Sequence, residues 1–196
     1  MSALLTIQSR SHPYSVEGFD DLATALASLP PSGLRCLADK AVYDLYRPAF
    51  DRVLPPEKVL SMEATEDAKS LSALDPVFAW VLENGLRRNG CLAVVGGGVL
   101  QDIGCFVASV LFRGVHWELV PTTLLSQCDS CIGSKSSLNF REWKNQLGTF
   151  YPPHRVLLTT SVLDTLPATR FAPVSAKRSN CICSRGKRNS AGSWQD

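Results

Sequence analysis

No apolar run in this 196-residue chain reaches the length needed to span a bilayer, which argues against a helical membrane protein. Residues 1–10 lack a basic region followed by a true apolar stretch, so no secretory signal is expected and the cytoplasm is the predicted compartment. No internal repeat is visible. Cysteine is present as an odd number, seven, and Cys36, Cys91 and Cys105 sit in apolar segments, which predicts reduced, buried thiols rather than a disulfide framework. Cys128-Asp129-Ser130-Cys131 is formally a C-x-x-C, but no thioredoxin-like context surrounds it. Cys181 and Cys183 are spaced poorly for a zinc site. Neither sign of charge dominates: 20 basic and 18 acidic residues give a net +2, and the basic excess comes from residues Arg170 onward. The body before Arg170 carries 14 basic and 17 acidic residues, so it shows no nucleic-acid footprint. What is abundant is apolar residues, 45% of the chain, enough for a packed core.

Those apolar residues fall into short runs bounded by turn signals: Leu34–Leu37, Val59–Met62, Leu92–Val95, Glu118–Val120 and Val156–Leu158. Helical spacing lies between them. Asp21–Leu29 puts Leu22, Ala25, Leu26 and Leu29 on one face, and Ala41–Val53 repeats that pattern through Val42, Leu45, Tyr46, Ala49 and Phe50. Asp75-Pro76 reads as an N-cap and first helical residue opening a helix over Val77–Arg88, closed by Asn89-Gly90. Ile103–Phe112 is apolar nearly all round and is expected to be buried between layers. Strand alternating with helix predicts an α/β fold, a Rossmann-like, doubly wound, mostly parallel sheet. Residues 1–168 form that expected domain. Residues 169–196, rich in Ser, Arg, Lys, Asn and Gly and without a period, are expected to be a basic, disordered tail.

The residues with chemical potential cluster around Gly96-Gly97-Gly98-Val99-Leu100-Gln101-Asp102, a glycine turn between a buried strand and a helix. Bare backbone N–H groups at a helix N-terminus favour a pyrophosphate, although the same turn also serves as a plain tight connection. Asp102 is expected in the first helical turn, where the helix dipole alone stabilises a carboxylate. Asp39, just after a strand, is the type of acid that binds an adenosine ribose. Glu66-Asp67-Ala68-Lys69 reads from composition as a solvated helix start. Thr122 and Thr123 follow Pro121 at a strand end, where hydroxyls either cap a helix or meet a cofactor. Downstream lie Asp129, Lys135, Lys144 and Asn145. By themselves such lysines and polar groups are ordinary surface residues.

Taken in order, the GGGV-x-x-D loop, Arg113-Gly114, Pro121-Thr122-Thr123, D-S-x-x-G-x-K-x-x-x-N from Asp129 to Asn139 and K-N-x-x-G-x-F from Lys144 to Phe150 resemble the 3-dehydroquinate synthases and the wider sugar-phosphate cyclase family. The resemblance covers roughly residues 14–167. It implies an NAD- and divalent-metal-dependent (zinc or cobalt) reaction in which a substrate hydroxyl is oxidised, phosphate is lost, the ketone is reduced again and an aldol closure forms the carbocycle. By the same resemblance Asp39, Glu66, Lys69, Gly97, Gly98, Val99, Asp102, Thr122 and Thr123 hold NAD. Lys135 and Lys144 hold cofactor and substrate charges, Asp129 and Asn145 meet substrate hydroxyls, and Arg113 reaches the substrate of the other subunit of a homodimer. The implied partner is a phosphorylated seven-carbon sugar acid, with no nucleic acid and no membrane.

The sequence departs from the family in several places. Gln101 stands where the family has Gly, and would either crowd or contact the cofactor. Ser134 and Ser136 replace Gly and Thr, which opens the choice among relatives making other cyclitols. Asp39-Lys40-Ala41-Val42 keeps only the ends of the family's Asp-Glu-Asn-Val. The family's metal ligands, one Glu and two His on an α-helical C-terminal domain, have no match: His12, His116 and His154 lie upstream and read as structural or surface residues, so that domain is expected to be missing and the metal ligands with it. Codons exist for Pro173–Asp196 whose adjacent frame reads as an amphipathic helix containing SEAIK, similar to the family's AEVIK. Asn180-Cys181 forces Leu in that frame whatever the codons, so a frameshift is expected there. Without the helical domain, an exposed sheet face and poor solubility are expected. Two other readings stand beside the cyclase: a non-catalytic NAD-binding remnant, and a metal-dependent alcohol dehydrogenase, against which the K-N-x-x-G-x-F segment and the lysine pair argue.

Overall fold

A computed structural model describes residues 3–165. The predicted boundary at 168, the tail and the proposed frameshift lie outside the described residues. The order of elements is β1 (Ala3–Ile7), β2 (Tyr14–Gly18), α1 (Leu22–Ala27), β3 (Leu34–Asp39), α2 (Lys40–Leu45), α3 (Arg47–Asp51), β4 (Val59–Met62), α4 (Leu71–Glu83), β5 (Cys91–Gly96), α5 (Gly98–Val110), β6 (His116–Pro121), β7 (Leu138–Phe140), β8 (Trp143–Leu147) and β9 (Arg155–Leu158). Seven strands form one sheet in the order β1-β2-β9-β6-β5-β3-β4, and β7 and β8 form a separate hairpin. Only β1 runs antiparallel within the large sheet.

The expected doubly wound architecture is present, and the period-2 alternation of the strands explains it. Leu92 and Val94 of β5 face a core shared with α4 and α5, through Leu74, Val77, Ile103 and Val107. Cys91, Ala93 and Val95 face the opposite core, shared with Leu22, Ala25 and Leu26 of α1 and with Tyr43 and Phe50. Every residue of β5 is buried, the signature of a central parallel strand covered on both faces. At this central strand, among the described residues, the expected bare sheet face is not seen. Exposed apolar side chains are spread among the elements, from Leu4 and Leu5 on β1 and Leu45 on α2 to Ile132, Phe140, Trp143 and Phe150 after β6.

Three predicted helices differ from their expected bounds. The span 41–53 is two helices rather than one, broken at Tyr46, whose φ of −108° and ψ of 22° leave the helical region. Pro48, with no N–H to donate and a ring that crowds the preceding turn, explains why one helix does not run through. The helix expected from Val77 begins instead at Leu71, capped by Ser70, whose Oγ accepts from the Ala73 N–H, so Pro76 lies inside it rather than at its start. It ends at Glu83, well before Asn89-Gly90. The helix expected from Ile103 begins at Gly98, which moves Asp102 out of the first turn. By contrast, Asp21 caps α1 as its position suggests, in a reciprocal box with Thr24.

The three histidines, far apart in sequence, form one column. His12 stacks on His154 with ring centroids 4.1 Å apart, and His154 lies 4.0 Å from His116. His154 Nδ1 accepts a hydrogen bond from the Trp117 N–H. Burial, then the neighbouring His116 and His12 rings, lower the His154 pKa to about 4.

Two predictions follow from this packing. An unfolded chain takes up a proton on His154 near its ordinary value while the folded chain resists it, so stability should fall as pH drops from about 6.5 toward about 4. Urea midpoints measured across that range should fall less for His154→Gln; parallel curves would refute the assignment. Close packing of α5 on β5 rests on Gly104, where an added Cβ would stand 2.4 Å from Val94 Cγ2. Gly104→Ala should destabilise by about 1–3 kcal/mol in urea unfolding, and an unchanged midpoint would show that Val94 moves aside freely.

Candidate functional site

The connections dictate where a ligand fits. From β3 the chain winds outward to β4 through α2 and α3, packed on one face of the sheet, whereas from β5 it winds the other way to β6 through α5 on the opposite face. The crevice at the C-terminal ends of β3 and β5 is thus the topological switch point, the usual ligand position in an open α/β sheet. Asp39 ends β3 and Gly96 ends β5, one residue beyond the paired Ala38 and Val95.

The three glycines differ in what they permit. An added Cβ at Gly96 would meet Leu100 at 2.7 Å, and one at Gly97 would meet Thr123 Cγ2 at 2.8 Å. Packing of the fold itself requires those two. Gly98 is exposed, and its nearest neighbour would be Ser130 Oγ at 3.9 Å. Nothing in the fold needs glycine at 98, so its bareness leaves space for a ligand. Gly97 caps the 13-residue α5 without a side-chain bond, which leaves the first N–H groups, including that of Val99, for an anion.

Thr122 and Thr123 close the loop from the β6 side. Thr122 is buried and its N–H donates to the Gly96 carbonyl. Thr123 exchanges bonds with Ser126: the Thr123 N–H donates to Ser126 Oγ at 3.0 Å and the Ser126 N–H to Thr123 Oγ1 at 3.2 Å. These two threonines therefore act first as structural groups holding the loop. Asp39 likewise caps α2, accepting from the Ala41 N–H at 3.0 Å.

Gln101 reaches the glycine turn through its backbone, its N–H donating to the Gly97 carbonyl at 3.0 Å, while its side chain points elsewhere. It is buried and turned toward Ser130, donating through Nε2 to the Ser130 carbonyl and accepting from Ser130 Oγ at 2.9 Å. It thereby ties α5 to a π-helical turn, Ser126–Ser130, that carries Asp129. Single π turns inserted in helical chain are common at functional positions.

The buried cation of this region is Lys69, which composition alone placed on a solvated helix. It follows a 3₁₀ turn, Glu66–Ala68, and is 5% exposed. Its ammonium lies 2.8 Å from Asp102 Oδ2 and donates to Asn145 Oδ1 at 3.0 Å and Ser137 Oγ at 3.2 Å. Glu66 Oε1 stands 3.8 Å away. Asp102 accepts in turn from the Ser137 N–H at 3.0 Å, and from its hydroxyl at 2.8 Å. Asn139 accepts through its side chain from the Asn145 N–H and donates to Glu66 Oε1. Its own N–H donates to the Lys69 carbonyl, which docks β7 beside residue 70. Asn145 sits within β8 at φ 57°, a conformation Asn tolerates better than most residues. Four predicted residues, Glu66, Lys69, Asp102 and Asn145, are thus brought into one cluster. Ser137 completes it, and nothing in its sequence neighbourhood marks a serine as a partner of residues 35 and 68 positions away.

Asp129, Lys135, Lys144 and Arg113 are exposed and form no ion pair among the described residues. Arg113 ends a strained turn: Phe112 at φ 52° and Arg113 at φ 63° are consecutive left-handed residues before Gly114. Such strain concentrates where a side chain must be aimed. Ser136 is buried against Thr149, its hydroxyl within 2.9 Å of Thr149 Oγ1, so that departure from the family serves the hairpin's own packing. Of the C-x-x-C pair, Cys131 is buried and Cys128 exposed, and both are free thiols.

Removing the Lys69 ammonium leaves Asp102 without its cation. Lys69→Met should cost about 2–4 kcal/mol, toward the lower end of the range for broken buried pairs because Asp102 keeps both Ser137 bonds. Urea unfolding checks this, and a loss below about 0.5 kcal/mol, as for an exposed pair, would refute it.

Comparison with known proteins agrees with this geometry. Residues 59–173 match the family described as 3-dehydroquinate synthase N-terminal. The 3-dehydroquinate synthase of Streptococcus equi subsp. equi is 34% identical over 178 residues, covering 88% of this chain and 49% of that one. Among solved structures, 2-epi-5-epi-valiolone synthase from Streptomyces hygroscopicus subsp. jinggangensis, with NAD+ and Zn2+ bound, superposes with a TM-score of 0.69 at 30% identity, covering 87% of this chain and 48% of that one. A 2-deoxy-scyllo-inosose synthase complexed with carbaglucose-6-phosphate, NAD+ and Co2+ superposes at 0.73 but with 23% identity, over 85% and 48%, and shows the fold alone. The chain spans about half the length of the curated relatives it matches. Within that span, the chain belongs to the 3-dehydroquinate synthase N-terminal family.

Proposed function

We propose that this chain is the NAD-binding half of a 3-dehydroquinate synthase, acting in the cytoplasm on a phosphorylated seven-carbon sugar acid. The observation that carries the proposal is Gly98: an exposed glycine at the N-terminus of α5 that the packing does not require, in the crevice between β3 and β5. The residues present fit NAD. Free N–H groups of Gly98 and Val99 suit its pyrophosphate, Asp39 its adenosine ribose, and the Lys69–Asp102 pair its nicotinamide side. Thr122 and Thr123 hold the adenine side of the loop. When bound, NAD supplies transient oxidation of a substrate hydroxyl, which acidifies the neighbouring carbon for loss of phosphate.

In this reading the chain's own residues bind and orient. Lys135 and Lys144, exposed and unpaired with any acid among the described residues, offer charge to the substrate's phosphate and carboxylate. Asp129 and Asn145 position its hydroxyls, Asn145 being aimed by its bonds with Lys69 and Ser137. Arg113 reaches the site of a second copy in a homodimer. The divalent metal of the family does not fit here: the Glu and two His it requires have no counterpart among the described residues, and no step is assigned to it. The chain alone is therefore expected to bind cofactor without turnover, and a different cyclitol as product would be decided by the groups around Lys135.

Calorimetric titration with NAD tests the reading. Binding is expected for the wild-type chain and should be lost in Gly98→Val, whose folding should be unimpaired because its side chain enters open space. No binding at millimolar NAD would refute the cofactor assignment. Phosphate release from the sugar acid by the metal-stripped chain would refute the division of labour.

A further inference from the structure

The opposite end of the sheet carries a second cluster that the family reading does not use. Cys91 opens β5 and pairs in register with His116, which opens β6; Glu118, two residues on, returns to the same face. Arg155 of β9 pairs in register with Glu118. Alternation thus places a thiol, an imidazole and a carboxylate side by side on the lower rim, far in connectivity from the glycine loop at the upper ends of the same strands.

One donor atom from each of Cys91, His116 and Glu118 lies within 4.8 Å of the others. His116 Nε2 and Glu118 Oε1 are 3.0 Å apart. Glu118 Oε2 accepts from Arg155 Nη2 at 2.7 Å, and Arg155 Nη1 donates to Glu17 Oε2 at 3.1 Å. The cluster opens on a cavity of about 460 Å³ lined also by Ser28, Ser32 and Asn89. Cys91 and Glu118 are buried, whereas the His116 side chain is 40% exposed, so a small ion has a path inward.

We propose that Cys91, His116 and Glu118 bind a zinc ion, with the fourth position held by water in the cavity. A borderline-soft ion suits a sulfur, nitrogen and oxygen set, whereas magnesium and calcium prefer all-oxygen shells. Zinc bonds of about 2.0–2.3 Å put donors roughly 3.3–3.7 Å apart. The histidine–carboxylate pair, now hydrogen-bonded at 3.0 Å, has to open by roughly 0.3 Å, and Cys91 has to close by no more than about 1 Å, both within reach of side-chain rotation. On binding, Cys91 gives its thiol proton to solvent, and the thiolate and the Glu118 carboxylate together neutralise the ion. Arg155 then stays paired with Glu17 and continues to orient Glu118, as outer groups of metal centres do. This site is independent of the cofactor reading, and its ligands include one carboxylate and one histidine rather than the set expected for the catalytic metal.

Cobalt titration of the chelator-stripped full chain tests the proposal. One equivalent should bind at micromolar concentration with a thiolate-to-cobalt charge-transfer band in the near ultraviolet. The band should disappear in Cys91→Ser, persist in Cys128→Ser/Cys131→Ser, and require about 10–100-fold more cobalt in Arg155→Met. X-ray absorption of the zinc-loaded wild-type chain, which needs no variant to fold, should read one sulfur among nitrogen and oxygen ligands. No uptake, a band that survives Cys91→Ser, or a shell with no sulfur or several would each overturn the assignment.

Discussion

The Lys69 ammonium is buried, and burial of a charge is tolerable only if its surroundings answer it. That single constraint holds together three segments that the main sheet does not join: the turn after β4, the second turn of α5, and the β7–β8 hairpin. Each supplies one kind of group. Asp102 gives the countercharge, Ser137 and Asn145 give neutral acceptors, and Asn139 ties the hairpin's backbone to the carbonyl of Lys69 itself. With three donors to place and partners on three sides, the ammonium has its hydrogen-bonding capacity filled.

The hairpin is the element most dependent on that arrangement. It belongs to no large sheet, both its strands are short, and much of β8 is exposed. An isolated two-stranded ribbon is marginal in water. It is docked along α5 by polar contacts, Ser137 on Asp102 and Thr149 on Ser109. This covering explains why α5 is apolar nearly all round, with one face against the sheet and another beneath the hairpin. The same docking sets Asn145 against Lys69 and Ser137.

The two rims of the sheet have different chemistry for a common reason. At the C-terminal rim, helix N-termini and bare amides gather, and the groups found there suit anions. At the N-terminal rim, strand starts bring Cys91, His116, Glu118 and Arg155 into register, and the groups suit a cation held against carboxylate. Parallel strands transmit no contact between the two; they only fix their separation.

Much of the fold was legible in the sequence, because burial leaves a periodic trace. Five of the seven strands of the sheet, β3, β4, β5, β6 and β9, and the doubly wound architecture were read from apolar runs and turn residues. Helix starts were misread where one strong local signal had a weaker competitor: Asp75-Pro76 looked like a cap, but Ser70 is the one used. The glycine loop and the family motifs were legible because contiguous residues share one job. What only the tertiary structure decided are the pairings across long loops: Lys69 with Asp102 and Ser137, Gln101 with Ser130, and Cys91 with His116 and Glu118. A buried charge and a solvated one have the same residue name. Which partners answer it depends on how segments many residues apart are brought together, and periodicity carries no record of that.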